Sequence, residues 1–471
     1  MPAQVTFKST LIFSSISLLA LSSPAHSAGF SSTSNSASGM GNAFAGSAAV
    51  AEDASTVWFN PAGMTYLGEK LEGKSLLSNA AHIVAAKTDY EDKGSAAPAA
   101  LNATMSGEKD ISADVTSFIP NLYYMRPLNE KMHFGLSVNG PFGSKTLYDK
   151  DWMGRYQATE TDMKSVNINP SISWKANDKL SLGAGVSGQY LHVKLGKAFD
   201  SVGVCRAVAL GAAARSNDTS LINYCNAQYP KAAQVDKDSQ ALVEGKSFGF
   251  GFNVGLLYQP TAMTRIGASY RSKVKHKLKG DATYQVDAAL KPIVAGLEAQ
   301  GNNRFTDRDI TAKLTLPDSV SLSLVHKVNS KLELLGDVTW TQWSTFQELR
   351  VVDKTGADVT SVPQKWKDVT RVSVGANYQY NDKLTLRTGV AFDQEPIPSA
   401  QFRTPRSPGN DRTWLSVGAG YKLNKKMTLD FGYSHLFLDE TPIDNSGTGY
   451  SVRGLYNSSV DILSAQVNYK F

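Results

Sequence analysis

Leu463-Ser464-Ala465-Gln466-Val467-Asn468-Tyr469-Lys470-Phe471 alternates without a break. In an extended chain Leu463, Ala465, Val467, Tyr469 and Phe471 share one face, and Ser464, Gln466, Asn468 and Lys470 share the other. The same period of two runs through Met427-Leu429-Phe431-Tyr433, Leu415-Val417-Ala419-Tyr421, Leu384-Leu386-Thr388-Val390-Phe392 and Phe134-Leu136-Val138. Each set faces away from polar or small neighbours. These are strands with one apolar and one wet side.

The connections repeat as well. Leu128-Asn129-Glu130-Lys131, Ala176-Asn177-Asp178-Lys179, Val328-Asn329-Ser330-Lys331, Tyr380-Asn381-Asp382-Lys383 and Leu423-Asn424-Lys425-Lys426 have one design. Asn supports the turn, and the charges hold it in water. An alternating strand follows each. The pattern predicts fourteen strands, at 72–88, 114–126, 132–148, 161–174, 179–197, 246–259, 263–281, 310–327, 331–352, 365–380, 383–394, 411–423, 426–438 and 456–471. The longest loops fall at about 198–245 and 282–309.

Short turns at one end, long loops at the other and an even strand number describe a transmembrane β-barrel. A soluble β-sandwich is the competing reading, but its strands average about 5–6 residues, and most of these are longer. Closure is also how a sheet spans lipid without unpaired edges. The expected fold is therefore all-β, a 14-stranded antiparallel transmembrane barrel over 71–471.

Composition agrees. Mean hydropathy is −0.24 across 471 residues, too polar for a helical membrane protein but suited to a barrel with a wet interior. Net charge is +6, and no Lys/Arg block concentrates it, so nucleic acid is not an expected partner. Residues 1–27 read as a secretory signal, with Lys8, an apolar run from Leu11 to Leu21, and Ala25-His26-Ser27 before the cleavage point. That run is shorter than the roughly 20 residues a membrane anchor needs. An exported protein without a later membrane helix is secreted, periplasmic or a β-barrel, and with the alternating strands the bacterial outer membrane is expected. Cys205 and Cys225 lack metal-ligand neighbours; in an oxidising compartment they either pair or remain free thiols. No nucleophile signature or nucleotide motif occurs, so neither an enzyme nor a cofactor is expected.

One segment does not alternate. From Ala28 to about residue 70 the chain is crowded with Ser, Ala and Gly and ends in Val57-Trp58-Phe59-Asn60-Pro61-Ala62-Gly63-Met64. Small residues pack closely, and this segment is expected inside the barrel.

Several of its motifs carry a family resemblance. Ala28-Gly29-Phe30, Gly39-Met40-Gly41-Asn42-Ala43-Phe44-Ala45-Gly46, Glu52-Asp53-Ala54-Ser55-Thr56 and Asn60-Pro61-Ala62 resemble the outer-membrane long-chain fatty acid transporters, the FadL type. Pro120-Asn121, Trp340-Thr341-Gln342-Trp343, Trp366-Lys367-Asp368, Gly389-Val390-Ala391-Phe392-Asp393 and Phe471 extend the likeness along the mature chain. That family also contains importers of aromatic hydrocarbons. The resemblance implies a barrel plugged by an N-terminal hatch, here 28–70. It implies passive uptake of long-chain fatty acids or similar hydrophobic compounds by a monomer in outer-membrane lipid. Ligand would be caught at the outer loops, passed to an interior pocket and released sideways beside a kinked third strand. An aromatic hydrocarbon channel is the alternative within the family, and a general diffusion porin the alternative outside it.

The residues supply candidates for these parts. Gly140-Pro141-Phe142-Gly143 interrupts the third strand. Proline cannot donate to a ladder and the glycines permit a bend, so this is either the kink or an extracellular turn. Asn60-Pro61-Ala62 would sit near that gap, serving its freed backbone groups, or would be a plain turn. A fatty acid carboxylate needs a cation. Lys197 falls where the family places a basic pocket residue; Lys365, Lys367 and Arg371 are further candidates, each also readable as a solvated lumen charge. Apolar residues in the two long loops, among them Val202, Val204, Val208, Leu210, Ile293, Val294 and Leu297, suggest an outer capture groove. Ala288 to Leu297 reads equally as a short amphipathic helix.

Overall fold

A computed structural model describes residues 29–471, apart from Asn102, Ala232 and Thr448. The signal segment 1–27, with Lys8, and Ala28 lie outside the described residues. The chain forms a closed antiparallel barrel. Its fourteen strands are β1 (Leu76–Asp92), β2 (Val115–Pro127), β3 (Met132–Asn139 and Gly143–Leu147), β4 (Glu160–Lys175), β5 (Leu180–Phe199) and β6 (Ser239–Thr261). Then come β7 (Thr264–Arg271 and Val274–Gln285), β8 (Arg308–Leu316 and Ser319–Lys327), β9 (Leu332–Thr341 and Glu348–Asp353) and β10 (Asp358–Pro363 and Val369–Gln379). The last four are β11 (Leu384–Asp393), β12 (Arg412–Lys422), β13 (Met427–Leu438 and Thr441–Asn445) and β14 (Val452–Lys470). Closure runs from Leu76 opposite Lys470 to Asp92 opposite Gly454.

The repeated turns work through their asparagines. Asn129 Oδ1 accepts from Lys131 N and Met132 N, both at 2.9 Å, and Asn177, Asn329, Asn381 and Asn424 do the same in their hairpins, while Thr261 Oγ1 takes that place between β6 and β7. Above them the alternation puts Leu463, Val467, Phe431, Val417, Leu415, Val390 and Leu322 outward and exposed. Among the described residues no helix is long and apolar enough to cross a membrane.

The strands overrun the expected limits at the long-loop end. β6 begins at Ser239 and β7 ends at Gln285, so the loops expected at 198–245 and 282–309 narrow to 200–238 and 286–307. Hairpin pairing continues above the lipid band, where the outward side no longer needs apolar residues and the sequence signal fades.

Residues 29–70 lie inside this wall, in short helical turns α1 (Ala37–Met40), α2 (Thr56–Phe59) and α3 (Gly63–Lys70). Their polar atoms reach the lumen side of strands all around the barrel. Ala48 N donates to Ser323 Oγ of β8 at 3.0 Å, and Ala37 N to Gln466 Oε1 of β14 at 3.0 Å. Arg265 Nε of β7 donates to Ala49 O at 3.1 Å, and Arg371 Nη2 of β10 to Ala43 O at 2.8 Å. Arg387 of β11 bridges Glu52 at 3.1 Å and Asp430 of β13 at 2.8 Å. The wall answers with missing side chains: a Cβ on Gly389 would strike Asn42 O, and one on Gly418 would stand 2.6 Å from Gly41 Cα. Glycine is needed there because two backbones touch.

Above the barrel, α4 (Ser201–Ser216) and α5 (Ser220–Gln228) are joined by a disulfide between Cys205 and Cys225. They pack on α6 (Lys291–Ala299) through Val202, Leu290, Ile293 and Val294.

Candidate functional site

The barrel wall opens at β3. Residues 122–127 of β2 pair with 133–138 of β3, but among the described residues no strand pairs with residues 115–121 of β2 on that edge. Beyond the opening β3 stays with β4, at Asn139 opposite Asn167 and Gly143 opposite Lys164. Four steps on β3 match three on β4, which is a bulge. Gly140 and Pro141 form it, and Phe142 turns inward to meet Trp343, ring centroids 6.3 Å apart.

Residues 29–35 seal this opening from within. Ser31 bridges Phe142, Ser32 N donates to Pro141 O at 2.8 Å, and Gly143 N donates to Phe30 O at 2.8 Å. Asn121 Nδ2 donates to Ser34 O at 2.8 Å, Tyr123 OH to Asn35 O at 2.7 Å and Asn139 Nδ2 to Asn35 Oδ1 at 2.9 Å. The Phe30 ring sits among Trp343, Phe346 and Trp366, with centroids 4.5, 5.4 and 5.3 Å away. Gly29 has φ +62°, and a side chain there would overlap both tryptophans.

Behind the seal lies a cavity of about 160 Å³. Ser31, Thr33, Phe44, Trp58, Phe59, Pro141 and Phe142 line it, together with the half-buried Arg271 and the buried Arg371. Arg271 lies over the Trp58 ring at 3.3 Å and donates Nη2 to Trp58 O at 2.6 Å, while its Nη1 has no partner. Arg371 has no partner for Nε. A buried guanidinium with a spare N–H is costly unless an anion completes it. Asp337, also on the lining, is already occupied by Ser47, Ser323 and Thr339.

Of the four cations expected for a carboxylate, the structure brings only Arg371 to this cavity. Lys197 faces the lumen at the top of β5 beside Arg406, whose guanidinium donates to Gly196 O at 3.0 Å and is pulled down to about 10 by burial. Lys365 and Lys367 are exposed, Lys365 over the Phe402 ring at 4.9 Å. Asn60-Pro61-Ala62 is displaced from its expected place. Asn60 Nδ2 donates to Ala48 O at 2.7 Å and to Leu256 O of β6 at 2.9 Å, and Oδ1 accepts from Ala62 N at 3.0 Å. It ties the inner segment to the wall at β6, not to the kink of β3. The reason is steric: Gly183 leaves room for the Pro61–Ala62 peptide, and Gly255 for the Asn60 amide and the Pro61 ring.

Sequence reasoning missed Arg271. Its only trace is parity: Arg265, Gly267, Ser269 and Arg271 oppose Ile266, Ala268 and Tyr270, so it faces the lumen. Parity does not say that Arg265 is satisfied by the inner segment and that Arg271 keeps a free donor.

A closed fourteen-stranded barrel with residues 29–70 inside it and a cavity beside an interrupted strand fits an outer-membrane transport protein. The chain matches the family of outer membrane protein transport proteins (OMPP1/FadL/TodX) over residues 18–471, and it belongs to that family. It is 31% identical to an outer membrane protein of Neisseria meningitidis serogroup B over 461 residues, 95% of each chain. It is 28% identical to the long-chain fatty acid transport protein of Escherichia coli O6:H1, covering 89% of each. The crystal structure of a Pseudomonas aeruginosa FadL homologue superposes with a TM-score of 0.81 at 26% identity, covering 94% of this chain and 99% of that one. The Pseudomonas putida toluene transporter TodX shares the fold, with a TM-score of 0.64 at 18% identity over 89% of this chain and 94% of that one. The protein is an outer-membrane transporter of this type.

Proposed function

We propose that this protein carries long-chain fatty acids across the outer membrane as a monomer. Ligand is caught at the outer loops, its carboxylate is held by Arg271 and Arg371, and it leaves sideways into lipid at the β3 interruption. Residues 28–70 act as the hatch, and the Phe30–Asn35 arm must move from the opening for release. Two arginines beside that opening, each with one buried N–H atom lacking a partner among the described residues, carry the reading.

The physical need is plain. A chain with about 14 methylenes has roughly 11 kcal/mol of apolar transfer free energy, at about 0.8 per CH₂. It resists a water-filled bore and favours a path ending in lipid. Aromatic hydrocarbon uptake is the second reading, favoured by the rings of Trp58, Phe59 and Phe142 on the same cavity. A neutral arene, however, leaves both guanidinium donors unanswered. A diffusion porin is disfavoured by the filled bore, and liposome swelling checks it: rapid sugar permeation would refute the hatch. The deciding experiment is growth of a deletion strain complemented with this protein on oleate and on an alkylbenzene. Rescue on oleate is expected; rescue on the alkylbenzene alone would overturn the fatty-acid reading.

A further inference from the structure

The wall opens a second time, between β6 and β7, and there the opening faces outward. From the short turn the two strands pair up to Asn253 opposite Arg271. Regular pairing resumes only at Lys246 opposite Lys279. Between these points Ser272 N donates to Phe252 O at 2.9 Å, and Phe252 N donates to Ser272 Oγ at 2.8 Å. β7 meanwhile stays paired with β8, from Val274 opposite Leu316 upward. It steps inward under β6: a Cβ on Gly249 would lie 2.7 Å from Val274 Cγ1 and 2.9 Å from Lys275 O. Val274, His276 and Leu278 fill the lumen side of the step.

Alternation then places Lys273, Lys275, Lys277 and Lys279 on the outer face, all exposed, and Lys313 of β8 stands directly across from Lys277. Among the described residues none of these five lysines has a carboxylate within ion-pair distance. Like charges opposite one another destabilise a sheet unless something neutralises them. Immediately beside them Phe248 and Phe250 are 57% and 76% exposed, the upper edge of the apolar band on β6. The step lies on the long-loop side of that band, where the outer leaflet's headgroups are.

We propose that the β6–β7 step is a docking site for the phosphorylated headgroup of an outer-leaflet glycolipid. Lys273, Lys275 and Lys277 take the phosphates as point charges, and an acyl chain lies on Phe248 and Phe250. Nothing in this requires transport, so the proposal stands apart from the choice of transported compound.

The test uses the full-length protein purified in detergent and native mass spectrometry. The probes are bisphosphorylated lipid A, the same lipid after phosphatase treatment, phosphatidylglycerol and inorganic phosphate. Bisphosphorylated lipid A should remain bound, with at least tenfold preference over its dephosphorylated form. A K273Q/K275Q/K277Q variant should lose that preference, whereas the lysine-to-arginine triple and a K422Q/K425Q/K426Q control at the opposite rim should keep it. Equal binding of the dephosphorylated lipid to the wild-type protein, a comparison independent of any variant's folding, would overturn the proposal. So would an unchanged glutamine triple. Inorganic phosphate displacing the lipid at millimolar concentration would reassign the step to a free anion. Phosphatidylglycerol binding as well as lipid A would remove the glycolipid.

Discussion

The two openings in this barrel have similar lengths and opposite contents. At β2–β3 the freed strand edge is answered from inside, by Ser31, Ser32, Ser34 and Asn35 of the chain's own start. At β6–β7 the inner side is packed with Val274 and Leu278, and the outer side carries exposed lysines. A broken ladder therefore has no fixed meaning. Its role follows from what occupies each side: a displaceable peptide over a cavity makes a gate, whereas a filled core under exposed charge makes a surface.

The sharpest way to break the contrast is to close the first opening alone. Deleting Gly140, a bulge residue that does not line the cavity, removes the extra step opposite β4, so β3 should run straight and uptake of labelled oleate should fall at least tenfold in cells whose barrel still folds. Unchanged uptake would mean that release does not use this gap. Next in size is loss of the cavity's cations. A charge-assisted hydrogen bond contributes about 1.5–3 kcal/mol, so R271Q or R371Q alone should bind fatty acid roughly ten- to a hundredfold more weakly. Binding of the matching fatty alcohol should barely change; an equal loss for both would point to collapse of the cavity.

Asn60→Ala leaves Ala48 O and Leu256 O without their shared donor, at a cost of about 1–3 kcal/mol. Hydrogen exchange should rise within residues 40–66 and stay flat at the β6–β7 step, which separates hatch anchoring from wall integrity. Lys197→Ala should weaken fatty acid binding only a few-fold, because Lys197 lies at the mouth and not in the cavity; unchanged affinity would remove it from the path.

The smallest effect concerns the loop over the first opening. Glu395 shares a small recess with Gly29 and Ser144, and burial pushes its carboxyl up to about 7 against the attraction of Arg403. A carboxyl raised on folding stabilises the loop below its ordinary range near 4.5, and that contribution is lost as pH rises through about 7. Loop 394–411 should therefore be cut faster by protease at pH 8 than at pH 5.5, and E395Q should flatten the difference. No pH dependence in the wild-type protein would count against it.

Much of this was legible beforehand. Period-two alternation reports which face of a strand meets lipid, and the repeated Asn turns mark the hairpins, because both depend on residues close in sequence. The small-residue run from 28 to 70 likewise announces a segment that must pack against other backbone, though not which strands receive it. Gly140-Pro141 marks the β3 bulge because proline's missing donor is a local property.

What the chain alone did not settle is who meets whom across the bore. Asn60 joins β6, not β3, through vacancies at Gly183 and Gly255 that lie more than a hundred residues away. Arg271 keeps a free donor and Arg265 does not, although both occupy the same parity on one strand. The lysines from 273 to 279 read as scattered charge until the inward step of β7 turns them into one exposed row beside Phe250. Local pattern determines a strand's faces; only closure of the barrel decides which lumen groups find partners, because that depends on distances between residues far apart in the chain.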